Sequence, residues 1–202
     1  MPLIKRIDKK DYLLGIWKIT ENVDLLNSMI INDLDVDELK MLKSFKSKKR
    51  QCEWLAVRML LRTLLGRYQR IFYDQYSKPY LEDLNISITH TQKYAGVIIS
   101  KYNCAVDIEK ISSKAKRIKN KFLSSEEQAF CNTDYCYTML WSAKETAYKF
   151  YGKKELSFVK NLIVRQLDRE KIFIEIKKEK LLLSLPIKVL KFNEHILTYC
   201  VQ

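Results

Sequence analysis

The same order of secondary-structure signals runs through this 202-residue chain twice: helical stretches, one long amphipathic helix, then strands. In the first pass, residues 47–66 place Trp54, Val57, Leu61 and Leu64/Leu65 at helical spacing. Gly66 stands where a C-cap belongs, and Lys48, Lys49, Arg50 and Arg58 give the helix a basic side. Before it lie a short apolar run (residues 12–19) and two acidic helical stretches (22–31 and 35–45). The second pass has its long helix over residues 134–151, ending near Gly152 and preceded by the capping signal Ser124-Ser125-Glu126-Glu127. Strand patterns follow each helix. Ile86 and Ile88 alternate with Ser87 and Thr89, and residues 94–100 and 104–108 are β-branched runs. The short Lys101-Tyr102-Asn103 connection between those two runs predicts a hairpin. From Leu162 onward, alternation over 172–176, 181–185 and 196–199 predicts an antiparallel meander. The fold class read from this order is α+β, two halves divided near residues 101–105 into 1–103 and 104–202. No Pro/Gly/Ser linker marks the division, so the halves are expected to pack tightly.

Only Gly15, Gly66, Gly96 and Gly152 are present, so neither a Gly-rich phosphate loop nor a dinucleotide fingerprint can be assembled. Any grip on phosphate falls to cationic side chains and a metal. A formal charge of +13 calls for a polyanionic partner: nucleic acid, anionic membrane, phosphorylated small molecule or acidic protein. Lys5, Arg6, Asp8, Lys9 and Lys10 interrupt any signal-peptide core, and there is no long uncharged apolar run. A soluble, cytoplasmic protein is expected. Five cysteines (Cys52, Cys104, Cys131, Cys136, Cys200) form no Cys-x-x-Cys pair. Reduced thiols packed as small hydrophobes are the expectation, ahead of a zinc site at Cys131 and Cys136.

The chemistry concentrates in two phrases. In Cys104-Ala-Val-Asp107-Ile-Glu109-Lys110, read as a strand, Asp107 and Glu109 point to one face roughly 6.5 Å apart. In Trp141-Ser-Ala-Lys-Glu145-Thr-Ala-Tyr-Lys149, read as a helix, Glu145 and Lys149 share a face. Three carboxylates brought together are costly without a cation, and a donor set of hard oxygens favours Mg²⁺. Taken singly, each phrase is also an ordinary solvent-face pattern, as is the lysine-rich segment of residues 110–121; Lys78-Pro79 is a common turn dipeptide, and a histidine such as His90 is more often a hydrogen-bonded structural residue than a ligand. Their ordered combination is more specific.

Together, Arg50-Gln-Cys-Glu53-Trp-Leu-Ala-Val-Arg58, Ser77-Lys78-Pro79, Thr89-His90-Thr91 and the two phrases resemble the 4′-phosphopantetheinyl transferases over roughly residues 45–155. The match is closer to the longer, surfactin-synthetase-activating type than to the short trimeric type. The resemblance implies a pseudo-dimer of two similar halves, each an antiparallel sheet packed with a long helix, with a ligand cleft between them. It implies transfer of phosphopantetheine from coenzyme A to a serine of an acidic acyl or peptidyl carrier protein, releasing adenosine 3′,5′-bisphosphate. Asp107, Glu109 and Glu145 would ligate Mg²⁺, and Lys149 would meet a phosphate. Arg50, Arg58 and Lys78 would surround the 3′-phosphate and adenine, and Thr89 and His90 the nucleotide end. Glu145 or a metal-held water would act as base. The first half would then take the nucleotide end and the second the metal and the carrier protein, docked on residues 110–121. A monomer that binds neither nucleic acid nor membrane is expected. Two departures stand out: Ala105 replaces the usual glycine two residues before the first aspartate, and Thr89 the usual serine before the histidine.

The rival readings are a basic nucleic-acid-binding protein and a transferase relative that binds coenzyme A or carrier protein without turnover. The first leaves the carboxylates unexplained, and the intact carboxylates and Lys149 weigh against the second.

Overall fold

A computed structural model describes residues 2–168 and 171–202. The chain is α+β, built on two antiparallel sheets, and divides into two compact units. The first comprises Met1–Phe72 and Pro79–Lys101, the second Tyr73–Lys78 and Tyr102–Gln202.

The first unit carries β1 (Leu3–Lys9), β2 (Tyr12–Lys18), α1 (Val23–Ile30), α2 (Val36–Ser44) and α3 (Lys48–Leu65). The short β3 (Phe72–Tyr73) and β4 (Pro79–Tyr80), then β5 (Asn85–His90) and β6 (Tyr94–Ser100), complete a six-stranded sheet ordered β1-β2-β6-β5-β4-β3. The apolar run at residues 12–19 is β2. It lies between β1 and β6, is buried over most of its length, and therefore shows no alternation. The acidic stretches are helical as read. Asn22 caps α1 by accepting the Leu25 N–H, and Asp35 caps α2 by accepting those of Asp37 and Glu38. Helix α3 ends at Gly66, whose φ of 70° is the left-handed C-cap conformation. Its apolar face (Trp54, Val57, Leu60, Leu61, Leu64) joins Leu26, Ile30, Ile86, Val97 and Ile99 in one core. Gly15 on β2 lets the helix close in, since a Cβ there would lie 2.7 Å from Leu60 Cδ1.

The second unit begins with β7 (Cys104–Lys110), α4 (Ser113–Arg117) and a 3₁₀ turn (Lys119–Lys121). Then come α5 (Ser125–Gln128), α6 (Asp134–Tyr151), β8 (Leu162–Leu167), β9 (Lys171–Lys178), β10 (Leu181–Phe192) and β11 (His195–Val201). The sheet order is β7-β11-β10-β9-β8, so the C-terminal meander forms as read and β7 joins it beside β11. Ser124 and Glu127 close the capping box that the sequence signals, Thr133 caps α6, and Gly152 ends it at φ 72°. Leu140, Ala143 and Ala147 of α6 pack on Ile174, Ile187 and Ile196 of the sheet.

Two expectations change. The β6–β7 hairpin does not form: β6 pairs with β2 and β5, whereas β7 pairs with β11. The connection at residues 101–103 carries the chain from one sheet to the other. Its length suits a hairpin, but the choice of strand partner is made by distant residues. The cysteines also differ from the all-thiol expectation, since Cys131 and Cys136 form a disulfide with Cα atoms 5.4 Å apart. That takes both sulfurs out of any zinc site and leaves Cys52, Cys104 and Cys200 as thiols. Among the described residues no helix is long and apolar enough to cross a membrane.

Candidate active site

Strand β7 presents Asp107 and Glu109 on one face, and α6 packs across that face. Asp107 is 5% exposed, and such a carboxylate persists only with partners. Ser142 Oγ donates to its Oδ2 at 2.8 Å, and Lys149 Nζ donates to its Oδ1 at 2.8 Å and to the Val106 carbonyl at 3.1 Å. Behind Ser142 runs a buried hydroxyl cluster. Thr198 of β11 stands directly across the ladder from Asp107, and its Oγ1 lies 2.9 Å from Ser142 Oγ and 2.7 Å from Thr146 Oγ1. Ser142 and Thr146 are i,i+4 on α6, so one stripe of the helix supplies both. Glu109 is held by the Trp141 indole, whose Nε1 donates to Oε1 at 2.8 Å.

The third carboxylate, Glu145, belongs to the same electrostatic neighbourhood. Burial first, then the charge of Asp107, pushes its carboxyl up to about 7; Lys149 opposes this and Glu109 adds to it. Burial and Asp107 also raise Glu109, while the Trp141 hydrogen bond and the charges of Lys114 and Lys149 pull it down. Three carboxylates are thus held at a cost in desolvation and mutual repulsion that a divalent cation would relieve. Among the described residues no three His, Cys, Asp or Glu groups form a ready metal-binding cluster. Carboxylate oxygens are the donor type that Mg²⁺ takes, commonly with substrate oxygens in its shell. Beside Glu109 a cavity of about 20 Å³, lined in part by Ser112, Lys114, Thr138 and Trp141, has room for one water-sized group.

Lys78 belongs to the second unit. Its ammonium donates to Asn103 Oδ1 at 2.9 Å and to the Phe150 carbonyl at 3.4 Å, at the carboxyl end of α6 where the helix dipole favours a cation. Burial lowers its pKa. Gly152 makes room for it, since a Cβ there would lie 2.6 Å from Lys78 Cδ.

In the first unit, α3 and β5 bring Arg50 and His90 together, with Nη1 2.6 Å from Nε2. A guanidinium has no acceptor, so Nε2 must accept and the ring proton rests on Nδ1, 3.4 Å from Glu53 Oε2. Glu53 also faces Arg50 at 3.6 Å and Lys49 at 3.8 Å. Thr89, the neighbour of His90 on β5, is buried. Arg58 is placed elsewhere. At 1% exposure it stacks 3.2 Å from the Trp54 ring centroid and donates to Glu38 Oε1 at 3.0 Å, while Tyr68 donates to the other Glu38 oxygen. The sequence marked it as a basic residue of a promising helix, but helical phase turns it inward.

The structure therefore gathers Asp107, Glu109, Glu145 and Lys149 in one unit and Arg50 and His90 in the other. Reasoning from sequence missed Trp141, Ser142, Thr146 and Thr198. Only the i,i+4 spacing of Ser142 and Thr146 hinted at a buried polar stripe on α6.

A strand-borne Asp-x-Glu thus faces a helix-borne Glu-x-x-x-Lys, which sets acidic oxygen donors beside a lysine. The family model described as the 4′-phosphopantetheinyl transferase superfamily matches residues 103–200, from β7 through β11, and so takes in the closing strands that the motifs do not reach. The match covers just under half of the chain, lies within its second unit, and makes that unit similar to the superfamily. The 4′-phosphopantetheinyl transferase gsp of Aneurinibacillus migulanus is 24% identical to it over a 157-residue alignment that covers 65% of this chain. The alignment covers 66% of that protein, just under two thirds of its length.

Proposed function

We propose that this chain transfers the 4′-phosphopantetheine group of coenzyme A to a serine hydroxyl of an acyl or peptidyl carrier protein, in a Mg²⁺-dependent reaction. The observation that carries the reading is the opposition of Asp107 and Glu109 on β7 to Glu145 and Lys149 on α6, inside the segment that matches the superfamily. Asp107, Glu109 and Glu145 would hold the Mg²⁺, which when bound neutralises charge on the diphosphate oxygens. Lys149 supplies a cation at the same place and donates to a phosphate oxygen. Glu145, or a water held by the metal, takes the serine proton. The serine oxygen forms a bond to the β-phosphorus as the bond from that phosphorus to the bridging oxygen breaks. Adenosine 3′,5′-bisphosphate leaves with the electron pair, and the pantetheine arm remains on serine as a phosphodiester.

Arg50, Thr89 and His90 of the first unit would receive the nucleotide end. Arg58, on α3, pairs with Glu38 at 3.0 Å, and we assign it no phosphate contact. The net charge of +13 suits an acidic carrier protein, and the basic segment that holds α4 is the surface we assign to it. We take the working form to be a cytoplasmic monomer.

The test is a mass-shift assay with apo carrier proteins, coenzyme A and Mg²⁺, using Glu109→Ala and Glu145→Ala as controls. Modification of a carrier serine by the parent, lost in both variants and on chelation, is the expected result. Failure on several unrelated carriers, with variants and parent alike, would overturn the reading. Tight nucleic-acid binding at physiological salt would then favour the basic-protein alternative.

A further inference from the structure

Helix α6 carries a second lysine that the reaction above does not use. Lys144 is fully buried, and its ammonium donates to both oxygens of Glu127 (2.9 and 2.7 Å) and to the carbonyls of Phe122 (2.7 Å) and Phe158 (3.0 Å). Glu127 in turn accepts the backbone N–H groups of Ser124 at 2.9 Å and Val164 at 2.7 Å. Such a pair is a poor source of stability, because an apolar pair of similar volume often does as well or better. What it supplies is position. Phe122 follows a 3₁₀ turn and Phe158 lies between α6 and β8, so no strand ladder fixes either carbonyl.

The same two residues present their rings to Trp141. Phe122 meets it edge-on at 5.1 Å and 77°, and Phe158 stacks on it at 5.5 Å and 20°. Trp141 is the residue whose indole N–H holds Glu109. One ammonium therefore anchors the main chain of both clamp residues, the clamp fixes an indole, and the indole fixes a carboxylate of the site.

We propose that Lys144 and Glu127 are positioning residues: through the Phe122–Phe158 clamp on Trp141 they set the place of the Glu109 carboxylate. The role given to Glu109 rests on the transferase reading, whereas the clamp itself is a property of the fold and is testable without turnover.

The experiment follows the indole N–H resonances of the ¹⁵N-labelled full chain, with Trp141→Phe assigning that of Trp141 and Trp17 and Trp54 serving as internal references. Lys144→Met should shift the Trp141 resonance and speed its solvent exchange while leaving the other two in place. The corresponding kcat should fall roughly 10–100-fold, the usual cost of losing a group that orients a ligand, with the KM for coenzyme A within about twofold. Phe158→Ala removes the stacked ring, leaves the ammonium's backbone acceptor, and should move the same resonance. Lys144→Met with Glu127→Gln, which keeps an acceptor for the Ser124 and Val164 N–H groups, should regain part of the stability but neither the resonance nor kcat, which separates position from stability. If Lys144→Met alone does not fold, the other two variants decide. A Trp141 resonance and kcat unchanged in folded Phe158→Ala and in the double variant would overturn the proposal. A resonance that moves as expected in a chain without transferase activity would uphold the clamp and reject the transferase reading instead.

Discussion

Lys149 Nζ meets Asp107 Oδ1 at 2.8 Å, so the residue one turn beyond Glu145 on α6 is salt-bridged to the strand it faces. Lys149→Ala leaves a carboxylate that is only 5% exposed without its counter-charge. The expected cost is about 3 kcal/mol of unfolding free energy, the low end for a broken buried pair because Lys149 keeps some exposure. The kcat/KM should fall at least about 100-fold. Denaturant titration with and without Mg²⁺ checks this, since an added cation should recover part of the stability and little of the activity.

The raised carboxyls make the metal-free protein sensitive to pH. Between the ordinary value of 4.5 and about 7, folded Glu145 keeps a proton that the unfolded chain has released. Stability is therefore fully present below pH 4.5 and is lost as pH rises through about 7, and Glu109 acts in the same direction. Melting temperatures measured in chelator from pH 5 to 8 should fall, and the fall should be shallower in Glu145→Gln. Added Mg²⁺ should raise Tm more at pH 8 than at pH 5.5. A parent protein with a flat profile in chelator contradicts the account.

Ser142→Ala removes the 2.8 Å hydroxyl bond to Asp107 and opens the buried Thr198–Thr146 cluster. A buried acceptor deprived of its donor costs about 1–3 kcal/mol. Loss of orientation at Asp107 should lower kcat/KM roughly 10-fold or more. Ser142→Thr, which keeps the hydroxyl, should preserve more activity than Ser142→Ala when both are assayed at saturating coenzyme A.

Arg58→Ala strands Glu38 in the first unit's core and should cost about 3–5 kcal/mol in urea unfolding. Arg58→Met with Glu38→Leu should return most of that stability. In the double variant the KM for coenzyme A should stay within about twofold of the parent, where loss of a phosphate contact would raise it several-fold.

Reversing Lys116, Arg117 and Lys119 to glutamate should raise the KM for an acidic carrier protein about tenfold or more at low salt, with the difference shrinking as salt increases. Coenzyme A affinity should be untouched. An unchanged carrier KM would remove the docking surface from this segment.

The local grammar of the fold is legible because it depends on neighbours. Gly66 and Gly152 announce two helix ends, Ser124 and Glu127 a capping box, and the alternation after Leu162 a meander. The carboxylates of the site were legible for a related reason: strand and helix periods alone put Asp107 with Glu109 and Glu145 with Lys149. Glu127 was visible only as half of a cap, and nothing in its surroundings along the chain marks it as the partner of Lys144. The all-thiol expectation failed similarly, because the contact between Cys131 and Cys136 depends on how the turn between α5 and α6 is folded.

By itself the sequence determined where helices and strands begin and end, and which charged residues share a face, since backbone period and capping chemistry act over a few residues. The tertiary structure alone decided that β7 leaves β6 for β11, that Arg58 turns inward to Glu38 while Arg50 meets His90, and that Lys149 pairs with Asp107. Those choices are made between residues far apart in the chain. There a strand pairs with whichever neighbour buries its apolar face, and a buried charge survives only beside the partner that packing brings to it.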